Sequence, residues 1–248
     1  MALYFPTNAY GLLGTGSINH GIGTGEFTWC AWIKMNAAAD GNGHTIGMCS
    51  DLNNGGLMAR GIGSNNWGLY WGGDYSFGTT LAAGRWYHLL ATRRANTLYG
   101  YLDGVESAST FALTKNMGSG TAYLGSDSGG SFRLQGTVAH VGLFASSCGA
   151  AQAQRIAKGT PAVEVLRMVR FWCSLELGDV SGRAKDDGPA RVQLKSLFAS
   201  AGNYPTWIGD DAKFSRLARE PHKYTAAAAV AAGSIIGSGF GGGTLIAG

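Results

Sequence analysis

The chain has 248 residues, a formal net charge of +4 and only 14% charged residues, against roughly a quarter in an ordinary soluble domain. Its basic residues are scattered, with no run longer than Arg93-Arg94, which argues against a nucleic-acid footprint, and 41 glycines beside 5 prolines exclude collagen and favour turn-rich β structure. Cys30, Cys49, Cys148 and Cys173 have no close spacing to one another or to histidine, which argues against zinc and leaves them expected as reduced, mostly buried thiols.

Taken in order, residues 2–5 (ALYF) form a short strand stopped by Pro6, and a Gly/Ser/Asn-rich stretch runs to Gly25. No signal peptide is visible at the start, since a basic stretch followed by an apolar run is missing. Residues 26–34 (EFTWCAWIK) alternate Phe27, Trp29, Ala31 and Ile33 with Thr28, Cys30, Trp32 and Lys34. Bulk on both faces fits a central strand of a sandwich. Short strands follow around residues 46–49, 57–60 and 67–71, separated by Gly/Ser/Asn turns.

Residues 84–105 (GRWYHLLATRRANTLYGYLDGV) are the clearest pattern in the chain. Two strand-like runs flank a polar connection at Arg94, Ala95 and Asn96, and the second ends in Asp103-Gly104. That dipeptide suits a two-residue type I′ turn, which needs φ > 0 at both central positions. The turn would set Leu102 opposite Val105 and Tyr101 opposite Glu106. Leu98, Leu102 and Val105 then share the expected core face, and Tyr99 and Tyr101 the other. Further strands are expected at residues 122–125, 132–144, 169–175 and near 192–197. One helix stands out at residues 150–158, with Ser147 as N-cap candidate, Gly159 as C′ candidate and Pro161 beyond. A helical turn is expected at residues 163–167.

The order of these pieces resembles the laminin-G-like, concanavalin-A-type jelly-roll superfamily. The resemblance rests on the strand with Phe27, Thr28, Trp32, Ile33 and Lys34, on Trp86 and His88, and on the hairpin ending Tyr101, Asp103 and Gly104. It continues with Phe132, Gly136, Val138 and Val141 ahead of the helix, and with Phe171, Trp172 and Leu175. It implies an all-β, two-sheet antiparallel jelly-roll sandwich over residues 1–209, with residues 210–248 as a C-terminal linker and tail. Where the superfamily often carries an Asp-Glu pair, this chain has Ala139 and His140.

Enzymatic function is not expected. Superfamily glucanases resemble E-x-D-x-x-E on one strand, and Glu26, Glu106, Glu164, Glu176 and Glu220 have no such spacing. His88 is expected as a structural histidine, and no cofactor is implied. For Ca²⁺, Asp74, Asp103 and Asp127 are the only candidates, and Asp103 is better explained by its turn. Asn65, Asn66, Trp67, Tyr70, Trp71, Asp74 and Tyr75 combine rings with amide and carboxylate groups, the chemistry that holds sugars; at least half of the rings are expected to fill the sandwich instead.

Residues 224–248 carry no charge and are dominated by Ala and Gly. Small residues at Gly233 and Gly237 would suit a membrane helix, but Ala and Gly drive insertion poorly. An assembly-docking arm anchored by Ile235, Ile236, Phe240, Leu245 and Ile246 is preferred. The resemblance, the low charge and this tail together imply a non-enzymatic bacteriophage virion protein, a capsid decoration or fibre component partnered by other virion proteins and oligomeric, without nucleic acid. A carbohydrate-binding adhesin is the alternative.

Overall fold

In the computed structural model, the residues described are 2–5, 9–18, 21–36, 43–49, 55–60, 66–117, 120–126, 132–173, 194–199 and 206–208. The strands are β1 (Ala2–Phe5), β2 (Ala9–Ile18), β3 (Phe27–Met35), β4 (His44–Cys49), β5 (Gly56–Arg60), β6 (Asn66–Tyr70), β7 (Asp74–Thr80) and β8 (Trp86–Arg94). They continue as β9 (Thr97–Leu102), β10 (Val105–Ala112), β11 (Gly120–Leu124) and β12 (Gly136–Phe144). After helices α1 (Ala150–Ala157) and α2 (Ala162–Val165) come β13 (Val169–Cys173), β14 (Leu194–Ala199) and β15 (Thr206–Ile208). Two antiparallel sheets result. The first runs β10-β9-β8-β3-β12-β1-β15, with β13 also paired to β12, and the second runs β14-β2-β11-β4-β5-β6-β7.

Period-two alternation builds the core between the sheets. Phe27, Trp29, Ala31, Ile33 and Met35 of β3 meet Ile46, Leu57, Trp67, Leu69 and Phe77 of the second sheet in one buried cluster. Each large side chain so buried contributes about 2 kcal/mol. Between the sheets, a methyl group at Gly100 would overlap the Phe77 ring, so only glycine fits there.

The other face of β3 builds a second core. Cys30, Leu90, Tyr101 and Phe144 are buried beneath Ala153, Ile156, Ala162 and Leu166. The helices therefore cover the tyrosine face of the hairpin. A buried threonine pair ties them down: Thr28 Oγ1 lies 3.0 Å from Thr92 Oγ1, which also accepts from the Cys148 backbone N–H at 3.0 Å. Cys30 and Cys148 are free and buried, as expected of them; the side chains of Cys49 and Cys173 lie outside the described residues.

The hairpin register is the expected one, Val105 opposite Leu102 and Glu106 opposite Tyr101, with φ +51° at Asp103 and +81° at Gly104. Asp103 serves its turn, accepting from the His88 backbone N–H at 2.8 Å and from Arg85 at 2.9 Å. Three expectations need correction. Val105 is 69% exposed rather than in the core: it opens the edge strand β10 at the turn, and β10 meets the second sheet further along, where Phe111 packs on Tyr75 and Phe77. The helix is capped by Gly149, whose N–H donates to Gln152 Oε1 at 2.9 Å, while Ser147 donates instead to Glu26 Oε2 at 2.7 Å. The glycine-rich stretch before Gly25 contains a ten-residue strand, β2, held between β14 and β11.

Candidate functional site

The described residues expected to hold sugar fall on β6, β7 and the turn between them, where Trp71 N–H donates to Gly73 O at 2.9 Å. Alternation divides them. Trp67 and Trp71 are 0% and 1% exposed and belong to the core, Trp67 against Phe77 at 4.7 Å and Trp71 against Phe27 at 5.6 Å between ring centroids. No ring face is left to them for a ligand, which corrects their place in the set. Tyr75 also turns toward the interior, packing edge-on against Phe111 at 5.5 Å.

Asn66, Tyr70 and Asp74 lie on the opposite, outward face and are half-buried. Asn66 accepts from Thr80 Oγ1 at 3.2 Å. Asn65, Asp127 and the tail anchors Ile235, Ile236, Phe240, Leu245 and Ile246 lie outside the described residues.

Strand register extends this outward face. Tyr70 pairs with Asp74 on one side and with Gly56 on the other; Gly56 pairs with Met48, and Met48 with Tyr123. Direct partners in adjacent strands share a face, so Tyr123, Met48, Gly56, Tyr70 and Asp74 form one row crossing β11, β4, β5, β6 and β7. The adjacent positions confirm the sense of the row. Leu124, Leu57 and Leu69 are fully buried in the core, and a methyl group at Gly47 would touch Trp29. A parallel row of Thr45, Met58, Gly68 and Ser76 runs beside it. Thr45 and Met58 are buried there, and Thr45 Oγ1 has no hydrogen-bond partner among the described residues. The outward face thus offers two half-exposed phenol rings, a carboxylate and an amide, while Gly56, Gly68, Thr45 and Met58 on that face are buried.

The first sheet's conspicuous groups serve structure. His88 is 1% exposed, stacks against Trp32 at 5.1 Å, and burial pushes its pKa down to about 3, so the ring is neutral. His140 is buried with φ +52°, at a bulge where β12 places two residues opposite one of β3. Arg93 is fully buried and donates to the backbone carbonyls of Gly23, Gly25 and Lys115, with its guanidinium 5.1 Å from the Phe27 ring centre. Among the described residues no group of three or more His, Cys, Asp or Glu could hold a metal ion.

The family model of the concanavalin A-like lectin/glucanases superfamily matches residues 7–154, more than half of the chain. The chain belongs to that superfamily.

No curated protein matches it by sequence. Among solved structures, this lectin/glucanase-type chain is similar to a Bacteroides ovatus ATCC 8483 protein assigned provisionally to carbohydrate binding. The TM-score is 0.60 at 18% identity, over 84% of this chain and 61% of that one. The chain thus spans about three fifths of the length of that relative. It is also similar to the native heptameric SAP-like pentraxin of Limulus polyphemus, with TM-score 0.52 at 16% identity, over 84% of this chain and 95% of that one. Both likenesses are of fold. Trypanosoma rangeli sialidase matches over 54% of this chain and 22% of its own, with a TM-score of 0.42 that carries no argument about catalysis.

Within this lectin/glucanase-type sandwich, Tyr123 is the residue that sequence reasoning passed over. Its signal was present: Leu124 is apolar and Tyr123 alternates with it. Its partnership with Tyr70, far away in sequence, is visible only from the strand order.

Proposed function

We propose that this protein is a non-catalytic carbohydrate-binding jelly roll, which holds glycan on the outward face of its second sheet. The observation that carries this reading is the row in which the half-exposed Tyr123 and Tyr70 share a face with Asp74. Sugars present C–H faces that pack on aromatic rings and hydroxyl groups that carboxylates and amides orient. Tyr70 supplies a ring, Asp74 accepts from hydroxyls, and Asn66 stands further along β6 on the same face. The lectin/glucanase family and the likeness to the Bacteroides ovatus protein support the reading.

The experiment is a glycan array of plant, bacterial and animal saccharides, probed with the full chain and with Tyr70→Ala and Asp74→Ala. Binding by the parent chain that both substitutions abolish is expected. Binding unchanged by either, or no binding to any saccharide, would overturn the reading. The virion role rests on the resemblance, the low charge and residues 224–248 together, and those tail residues lie outside the described residues. Carbohydrate recognition takes first place over it because its candidate residues are described and share a face.

A further inference from the structure

Building on that reading, we infer that Lys115, which lies between β10 and β11, is a positioning residue of the site: its ammonium group fixes the turn that presents Tyr70 and Asp74. Its Nζ donates to the Trp71 carbonyl at 2.6 Å. Trp71 opens the three-residue connection between β6 and β7. Tyr70 and Asp74 flank that connection and are direct cross-strand partners. A bond to Trp71 therefore acts on both site residues at once.

Trp71 is held at each of its groups. Its N–H donates to Gly73 O at 2.9 Å, across Gly72 with φ +58°. Its ring packs on Phe27 at 5.6 Å and faces the Arg93 guanidinium at 5.6 Å. Gly55 leaves room for that ring, since a methyl group there would meet it at 3.0 Å. Arg93 also donates to the Lys115 carbonyl at 2.5 Å, so the lysine backbone is itself anchored before its side chain reaches the turn. With Trp71 locked inward, strand alternation turns Tyr70 outward. A site held in its binding geometry beforehand loses less freedom when a ligand arrives, so such an anchor is read as affinity. An ammonium group on a carbonyl is charge-assisted, about twice as strong as a neutral hydrogen bond. A nearby link supplies the contrast. Ser107 Oγ donates to Phe77 O at 3.0 Å and also ties β10 to the second sheet, but Phe77 lies three residues beyond Asp74 and is buried in the core.

The test repeats the array of plant, bacterial and animal saccharides with the full chain, Lys115→Met, Lys115→Arg and Ser107→Ala, each over a concentration series. Hydrogen exchange of the same four proteins is followed without sugar. Lys115→Met keeps the aliphatic stem and removes the donor. Its half-saturating concentration should rise about tenfold and its Trp71 amide should exchange faster, with an unchanged circular dichroism spectrum. Lys115→Arg, which still donates, should return both readouts close to the parent's. Ser107→Ala should change neither, which separates positioning from a general loosening of that edge. Parent-like binding by Lys115→Met, or an equal loss in Ser107→Ala, would overturn the inference and leave the carbohydrate reading standing. Absence of binding by the parent to every saccharide would overturn both.

Discussion

At the scale of the residue, Arg93 shows how a charge can sit inside a sandwich. Its guanidinium makes four hydrogen bonds to the carbonyls of Gly23, Gly25 and Lys115, while Phe27 and Trp71 offer ring faces at 5.1 and 5.6 Å. Burial weakens its hold on the proton, yet a guanidinium stays charged at neutral pH. Arg93→Met would remove the guanidinium donors, leaving Gly23 O only the Met117 N–H at 2.9 Å, and Arg93→Lys cannot reproduce the planar fork. Both should lower the urea midpoint, the methionine variant by about 3 kcal/mol of stability.

His88 makes a second residue-scale prediction, on pH. Its folded pKa lies at about 3 against an ordinary value of 6.5, because burial disfavours the charged ring. The unfolded chain therefore binds one more proton between those values. The stability contribution is complete above about pH 6.5 and is lost as pH falls toward 3, with a slope of about 1.4 kcal/mol per pH unit. Urea denaturation between pH 7 and 4.5 should show that acid loss, and His88→Gln should flatten it; an equal slope in both proteins would contradict the assignment. The buried thiols follow the same logic. Burial pushes Cys148 up to about 12 and raises Cys30 too, with help from the neighbouring Cys148. Mass spectrometry after alkylation at pH 8 should find both unmodified in the folded protein and both modified in urea.

At the scale of the element, the hairpin of β9 and β10 was legible and its surroundings were not. Asp103-Gly104 has one favoured turn, and a two-residue turn dictates register, so the pairing of Leu102 with Val105 followed from four residues. The fate of Val105 did not, because only the later part of β10, at Phe111, meets the second sheet, and local pattern does not encode where along a strand that contact begins. β2 was hidden for a related reason. Glycines carry little strand propensity, and this strand is held by neighbours on both sides. Tyr101 shows the converse, a polar ring fully buried because α1 packs over it and Glu106 accepts its hydroxyl at 2.7 Å.

The hairpin and helix are also fitted to each other. A methyl group at Gly104 would meet Gln154 Cα at 2.9 Å and Ala157 Cβ at 3.0 Å, in addition to the strain of φ +81°. Gly104→Ala should therefore destabilise the protein by about 1–3 kcal/mol and raise hydrogen exchange in α1 as well as in the turn. Exchange confined to the turn would mean that the contact does not couple them. Gly100→Ala tests the contact between sheets, since its methyl group would overlap the Phe77 ring. Combining it with Phe77→Leu should cost less than the sum of the two separate losses.

At the scale of the whole molecule, the two outer faces have different fates. The first sheet is covered in part by α1 and α2 and is given over to packing, which explains why its histidines, tyrosines and cysteines look chemical in sequence and serve structure instead. The second sheet keeps an outward strip with half-exposed tyrosines. Of the candidate site, sequence found Asn66, Tyr70 and Asp74 but also took in Trp67 and Trp71, because a run of rings does not say which face is the core. Tyr123 needed the strand order, which sets β11 on the same sheet as β6, with β4 and β5 between them, across more than fifty residues of chain.

The measurement that bears most directly on the proposed site is a crystal structure of the full chain with a bound saccharide from the class it recognises. The sugar should lie on the outward face of the second sheet, with a ring against Tyr70 and a hydroxyl on Asp74. Sugar bound instead on the first sheet, or at the ends of the sandwich away from these two residues, would contradict it.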